Sequence, residues 1–290
     1  MRFKNIFALI GSILAALAAP ASLPVSPAAA QQADAAGIVI PNFRDPQRRL
    51  EAPDLSGLTF IRFLTTSDFP PFNYVTPDEK IAGFNIDLAR ALCEELKLTC
   101  VVQVRPWNTL EKTVAEAREN AVIAAVSITA ETRKTYDFTN RYLTTPARFA
   151  ARSDEPAVGL TPNGLAEKSI GVVEGSAHEA FIATYFPNVH RLAYSSAKAA
   201  FDAMKDKFVD MVFADGVALA FWLNGAESKD CCAFVGGPYE ESAFFGEGLA
   251  IGIAPGNDTL RQALNFALDR IQSDGRFQEI YLRNFPLSIY

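Results

Sequence analysis

Ser169-Ile170-Gly171-Val172-Val173-Glu174-Gly175-Ser176-Ala177 is the stretch whose reading decides the fold. Its first five residues, apolar and β-branched at the centre, read as a buried strand; Gly175-Ser176 reads as a tight turn, and a helical pattern starts at about Ala177. The same order has already run once upstream. Phe60 to Leu64 reads as a strand, Phe84 to Leu96 as an amphipathic helix, Val101 to Val104 as a strand, Leu110 to Ala117 as a helix and Val122 to Val126 as a buried strand. After residue 177 it continues with a strand at Arg191 to Tyr194, a helix at Ala197 to Lys205, a strand at Met211 to Ala214 and a helix at Val217 to Leu223. Strands alternating with helices imply βαβ units and mostly parallel sheets flanked by helices, and the restart at residue 169 implies two α/β lobes.

The links between the lobes are legible as well. Residues 142–152 lead from the first lobe to the second and residues 236–246 lead back. Beyond them, Leu249 to Ile253 reads as a strand and Leu260 to Ile271 as a helix that rejoins the first lobe.

The first thirty residues stand apart. Arg2 and Lys4 give a positive start, Ile6 to Ala19 is an apolar run too short for a membrane span, and Ala28-Ala29-Ala30 offers a cleavage point, so residues 1–30 read as a secretory signal peptide. The first cysteine is Cys93, which excludes a lipidated N-terminal cysteine and leaves a freely diffusing exported protein as the expectation. Residues 31–56, with Pro41, Pro46, Arg48, Arg49 and Pro53 and no periodicity, read as an extended arm. Without the leader, 25 basic residues face 33 acidic ones, which gives no support to nucleic-acid binding.

Four cysteines in an exported chain invite disulfide reasoning. A helix ending near Cys93 and turning into a strand at Cys100 brings these two together, with a pair of buried thiols as the alternative. Cys231 and Cys232 are neighbours, where a bridge strains the peptide, and their state stays open. No His or Asp stands at metal-ligand spacing beside them, and no metal or cofactor is expected.

In open parallel sheets, ligands sit beyond the carboxyl ends of strands, so the candidate site lies in the strand-to-helix turns. Phe69 or Phe72, held outward by the stiff Pro70-Pro71 turn, and Trp107, after Pro106, are candidate walls for a ligand, or core residues on the plainer reading. Ser127-Ile128-Thr129 with Thr132 and Arg133 offers hydroxyls and a guanidinium for a carboxylate, or simply an N-cap and a solvated charge. Ser176 either takes an anionic oxygen or caps its helix, and Asp215 either meets a cation or caps the helix from Val217.

Taken in order and spacing, Pro71-Phe72, Gly83-Phe84-Asn85-Ile86-Asp87-Leu88, Trp107-Asn108, Thr129 to Phe138, Gly171 to Ser176, Asp210 to Asp215 and Asp274-Gly275 resemble the periplasmic polar-amino-acid-binding proteins of ABC transporters, solute-binding protein family 3. The resemblance covers roughly residues 58–286. It implies a two-lobe type II periplasmic-binding fold, with lobe 1 from residues 57–146 plus 244–290, lobe 2 from 147–243 and hinges near 142–152 and 236–246. It also implies a monomer that closes over an amino acid or related zwitterion, performs no chemistry and serves an ABC permease in the inner membrane. Cys93 and Cys100 match the positions of a disulfide in the histidine-binding type of this family.

Carried over by position, Phe69 and Trp107 resemble the ring walls, Ala125 resembles a residue whose backbone carbonyl accepts from the ligand and Ser127 one whose hydroxyl contacts it. Ser176 resembles a carboxylate contact and Asp215 the ammonium partner. The family's carboxylate-binding arginine falls on Thr132, with Arg133 one residue later. Two rival functions suit the same scaffold: a cyclohexadienyl-dehydratase-like enzyme using Glu174 or His178, and a sensory protein whose closed form docks another partner.

Overall fold

The computed structural model describes residues 50–154 and 159–290, all within one compact unit. The expected signal peptide and most of the arm lie outside the described residues. Where the arm ends, Leu55 and Leu58 already pack on the first core.

The first sheet begins with β1 (Phe60–Thr65). A small three-stranded sheet follows, made of β2 (Asp68–Phe69), β3 (Asn73–Val75) and β4 (Ile81–Ala82). Helix α1 (Phe84–Leu96) starts after Gly83, whose φ is 119°; a Cβ there would sit 2.5 Å from the Phe72 carbonyl oxygen, so only glycine allows this approach. Its buried face, Phe84, Ile86, Leu88, Leu92 and Leu96, recurs at helical spacing. Strand β5 (Thr99–Val104), helix α2 (Leu110–Val114), strand β6 (Asn120–Ser127) and the short β7 (Asp137–Phe138) complete the first pass.

The chain crosses through Tyr142 to Pro146 into β8 (Ala147–Arg152). The second lobe then repeats the order with β9 (Ser169–Val173), α3 (Ala177–Tyr185), β10 (His190–Tyr194), α4 (Ala197–Lys205), β11 (Met211–Asp215), α5 (Gly216–Asn224) and β12 (Cys232–Tyr239). Past the short α6 (Ser242–Phe245), β13 (Leu249–Ile253), α7 (Asp258–Ser273) and α8 (Arg276–Asn284) return to the first lobe.

The two sheets have matching plans. One is ordered β5-β1-β6-β13-β7 and the other β10-β9-β11-β8-β12. In each, three strands pair in parallel and one strand, β13 or β8, runs against all the others. That reversal has a topological cause. The carboxyl ends of β1, β5 and β6 face the crossover, so a chain arriving from the other lobe enters the sheet from that side and must run the opposite way.

Disulfides join Cys93 to Cys100 and Cys231 to Cys232. The first closes the turn between α1 and β5, where Lys97 takes a left-handed conformation and the Leu98 N–H donates to the Cys93 carbonyl. The second shows the neighbouring pair oxidised at the start of β12, the state that the spacing left open.

Candidate binding site between the lobes

A cavity of about 410 Å³ opens between the two lobes, lined by Phe69, Phe72, Ala125, Ser127, Asp215 and Phe221 together with the hairpin prolines, Thr145, Leu249 and further residues of α5. Each wall has a local cause. Pro70 and Pro71 fix the turn between β2 and β3 and leave Phe69 half-exposed, stacked on buried Phe72 at 5.2 Å. Phe72 in turn meets Phe285 edge-on at 5.8 Å, and Phe285 meets Phe221 at 6.5 Å. This arc of rings runs from the first-lobe hairpin to helix α5 of the second lobe.

A buried polar chain holds the hairpin in place. The Tyr142 hydroxyl donates to Asn85 Oδ1 at 2.9 Å, Asn85 Nδ2 donates to Asn73 Oδ1 at 2.9 Å, and Asn73 Nδ2 donates to Thr66 Oγ1 at 2.8 Å. Every member is buried. A satisfied buried network of this kind fixes one geometry, because breaking any link leaves a polar atom without water or partner.

Strand β6 delivers Ala125 and Ser127. Between the pairs Val122 with Gly252 and Val126 with Ala250, β6 carries two more residues than β13, and Ala125 takes a left-handed φ of 55° in that bulge. Bulges re-aim backbone groups, and this one sits at the cavity wall.

Asp215 ends β11 and caps α5, accepting from the Ala218 N–H at 2.8 Å. Its carboxyl faces the cavity with protein crowded around it, and the loss of surrounding water pushes its pKa up to about 6, against the pull of the Ala218 and Val217 amides. Gly216 lets α5 start this close to the crossover: its N–H donates to the Pro146 carbonyl at 2.9 Å, and a Cβ there would stand 2.7 Å from that oxygen. An ionised acid crowded by protein and facing apolar rings is a receptor for an organic cation.

The sequence profile of the bacterial extracellular solute-binding proteins, family 3, matches residues 61–286. The chain belongs to this family.

ABC transporter arginine-binding protein 1 of Escherichia coli K12 is 31% identical over 226 residues, spanning 78% of this chain and 90% of that protein. The L-arginine-binding protein of Pseudomonas aeruginosa is 28% identical over 243 residues, 83% of this chain and 93% of its own length. Among solved structures, a Salmonella typhimurium periplasmic binding protein of high arginine specificity is 26% identical with a TM-score of 0.51, covering 78% of this chain and 99% of that one. The L-cystine solute receptor of Neisseria gonorrhoeae shares the fold at 17% identity and a TM-score of 0.69, covering 79% and 94%. As a family 3 solute-binding protein, the chain has the type II periplasmic-binding fold and works in the periplasm.

Within this solute-binding protein, Phe69, Ala125, Ser127 and Asp215 meet at one cavity. The other four candidates stand outside its lining. Trp107 begins a helical turn after β5 and is 58% exposed. Ser176 caps α3, donating to the Val173 carbonyl at 2.6 Å and accepting from the Glu179 N–H at 3.1 Å. The Thr132 hydroxyl donates to the Ser127 carbonyl at 2.7 Å and accepts from the Thr129 N–H at 2.9 Å, so it braces the turn beneath Ser127. Arg133 pairs with Glu247 at 2.7 Å, both side chains about half exposed. The capping and ion-pair readings describe these residues as they stand in the structure.

Phe221 lines the cavity without a signal in the sequence. Helix α5 is apolar on every face, so no period singles out the residue that turns to the cleft; only packing shows that Leu219 and Ala220 are buried while Phe221 stays 41% exposed at the cavity.

Proposed function

We propose that the chain captures a small ligand bearing a cationic nitrogen, an amino acid or related zwitterion, between its lobes and presents the closed form to an ABC permease of the inner membrane. The observation that carries the reading is Asp215 facing a cavity whose other lining is aromatic, aliphatic and hydroxyl-bearing. The arginine-binding relatives agree with a cationic ligand.

In this reading lobe 1 comprises residues 57–146 with 244–290, lobe 2 residues 147–243, and the segments near 142–152 and 236–246 bend. Asp215 meets the nitrogen, Phe69 and Phe221 enclose the stem, and Ser127 with the Ala125 carbonyl takes further polar groups. Trp107 and Ser176 approach as the lobes close. The protein acts as a monomer, released after cleavage near Ala30 and carrying no lipid.

Capture without chemistry is the reading that the second-lobe turn supports. His178 packs on Phe245 at 5.1 Å and Phe213 at 5.9 Å, and burial holds its imidazole down at about 4, which suits a packing residue better than an acid or base at neutral pH. Isothermal titration at pH 7.5 with basic and polar amino acids and their amines tests the proposal. Saturable heat from at least one of them is expected, and silence from all of them refutes it.

A further inference from the structure

We propose that this cleft recognises its ligand by the cationic nitrogen and the apolar stem, with no charged partner for a carboxylate, so that decarboxylated amines bind at least as tightly as the amino acids they derive from. The inference rests on the capture reading above and narrows it.

Among the described residues, Asp215 is the single charged one in the cavity lining, and it is acidic. An α-amino acid brings one cation and one anion into that space. The cation finds Asp215, but the anion must shed water against Phe69, Phe72, Val217, Phe221 and Leu249 without a counter-charge. Closing the lobes removes more water and sharpens the penalty.

The groups that could have answered a carboxylate are committed elsewhere. Arg133 spends its guanidinium on Glu247 at 2.7 Å. The hydroxyls of Thr132 and Ser176 each both donate and accept within their own turns. A second hollow of about 250 Å³ adjoins the cavity and shares Thr145 with it. It adds Glu240 and Glu247 against Arg141, whose guanidinium donates to the Glu247 carbonyl at 3.3 Å. With Arg133 neutralising Glu247, Glu240 stands against Arg141 and that hollow is balanced in charge, so Asp215 sets the sign of the combined space, which favours amines over carboxylates.

Titration calorimetry on matched pairs tests this: L-arginine with agmatine, L-lysine with cadaverine, and L-phenylalanine with phenethylamine, each pair differing by the carboxylate. The expected result is that in every pair that binds, the amine has a dissociation constant equal to or below that of the amino acid. An amino acid binding tenfold or more tightly than its amine overturns the inference while leaving the capture reading intact. Binding by neither member of any pair overturns both. An Arg133→Ala variant supplies an independent readout. It should change both members' dissociation constants by less than twofold, whereas a selective tenfold loss for the amino acid would show that Arg133 leaves Glu247 to serve the carboxylate.

Discussion

Asp215 carries two opposed duties. Its carboxyl titrates at about 6 in the folded protein against about 3.8 ordinarily, so the unfolded chain ionises first. Stability of the free protein therefore falls as pH rises from about 4 to about 6 and stays lower above that. Asp215→Asn keeps a side-chain oxygen to cap α5 but carries no charge. It should melt higher than the wild type at pH 7.5, and the two should converge near pH 4, as read by calorimetry. The same substitution removes the partner of the ligand's nitrogen, and affinity for any cation should drop at least a hundredfold. In the wild type, protons compete with the cation, so affinity should weaken about tenfold per pH unit below 6. A flat pH profile between 5 and 7 would refute the role of Asp215. Phe221 adds the opposite wall, and Phe221→Ala should weaken binding by about 1 kcal/mol, several-fold, with little loss of stability because the ring is partly solvated.

Helix α3 shows how an element records both what the sequence discloses and what it hides. Its start was legible because Ser176, Gly175 and Glu179 form a local cap, in which Glu179 Oε2 accepts the Gly175 N–H at 2.8 Å. The same locality made α1, α4 and β13 readable, since their periods are set by neighbours three to five residues away. The burial of His178 was not readable, because Phe213 and Phe245 reach it from β11 and α6. Arg133 failed to disclose its partner for the same reason: Glu247 lies 114 residues on. The bulge at Ala125 is a property of two strands together and leaves no mark on one. His178 yields a prediction at this scale. The unfolded state takes up its proton as pH falls through 6.5, while the folded imidazole stays neutral to about 4, so α3 loses stabilisation over that window. His178→Phe should shift the gap between melting temperatures at pH 7.5 and pH 5 by several degrees in favour of pH 5. An unchanged gap would mean that this ring titrates freely.

At the scale of the whole molecule the two lobes share a buried joint. Val217 and Ala220 of α5 belong to the core built mostly by the first lobe, and buried Arg148 donates to the Ile289 carbonyl at 3.0 Å and to the Gly236 carbonyl at 2.9 Å, with its guanidinium over Phe234. This joint binds the first crossover, the second crossover and the C-terminal segment together. Arg148→Leu would strand two carbonyls and should lower stability by about 2–4 kcal/mol in urea. Closure itself can be followed through tryptophan. The chain has two, Trp107 more than half exposed in the turn after β5 and Trp222 buried in the second lobe against Phe201. A Trp222→Phe variant leaves Trp107 as the sole reporter at small structural cost, since the Trp222 indole N–H has no partner among the described residues to lose. If the lobes close on Trp107, saturating ligand should shift its emission to the blue while small-angle scattering shows a smaller radius of gyration. Compaction without a shift would leave the hinge motion standing and remove Trp107 from the wall, whereas binding with neither change would mean that the ligand enters a cleft that does not close.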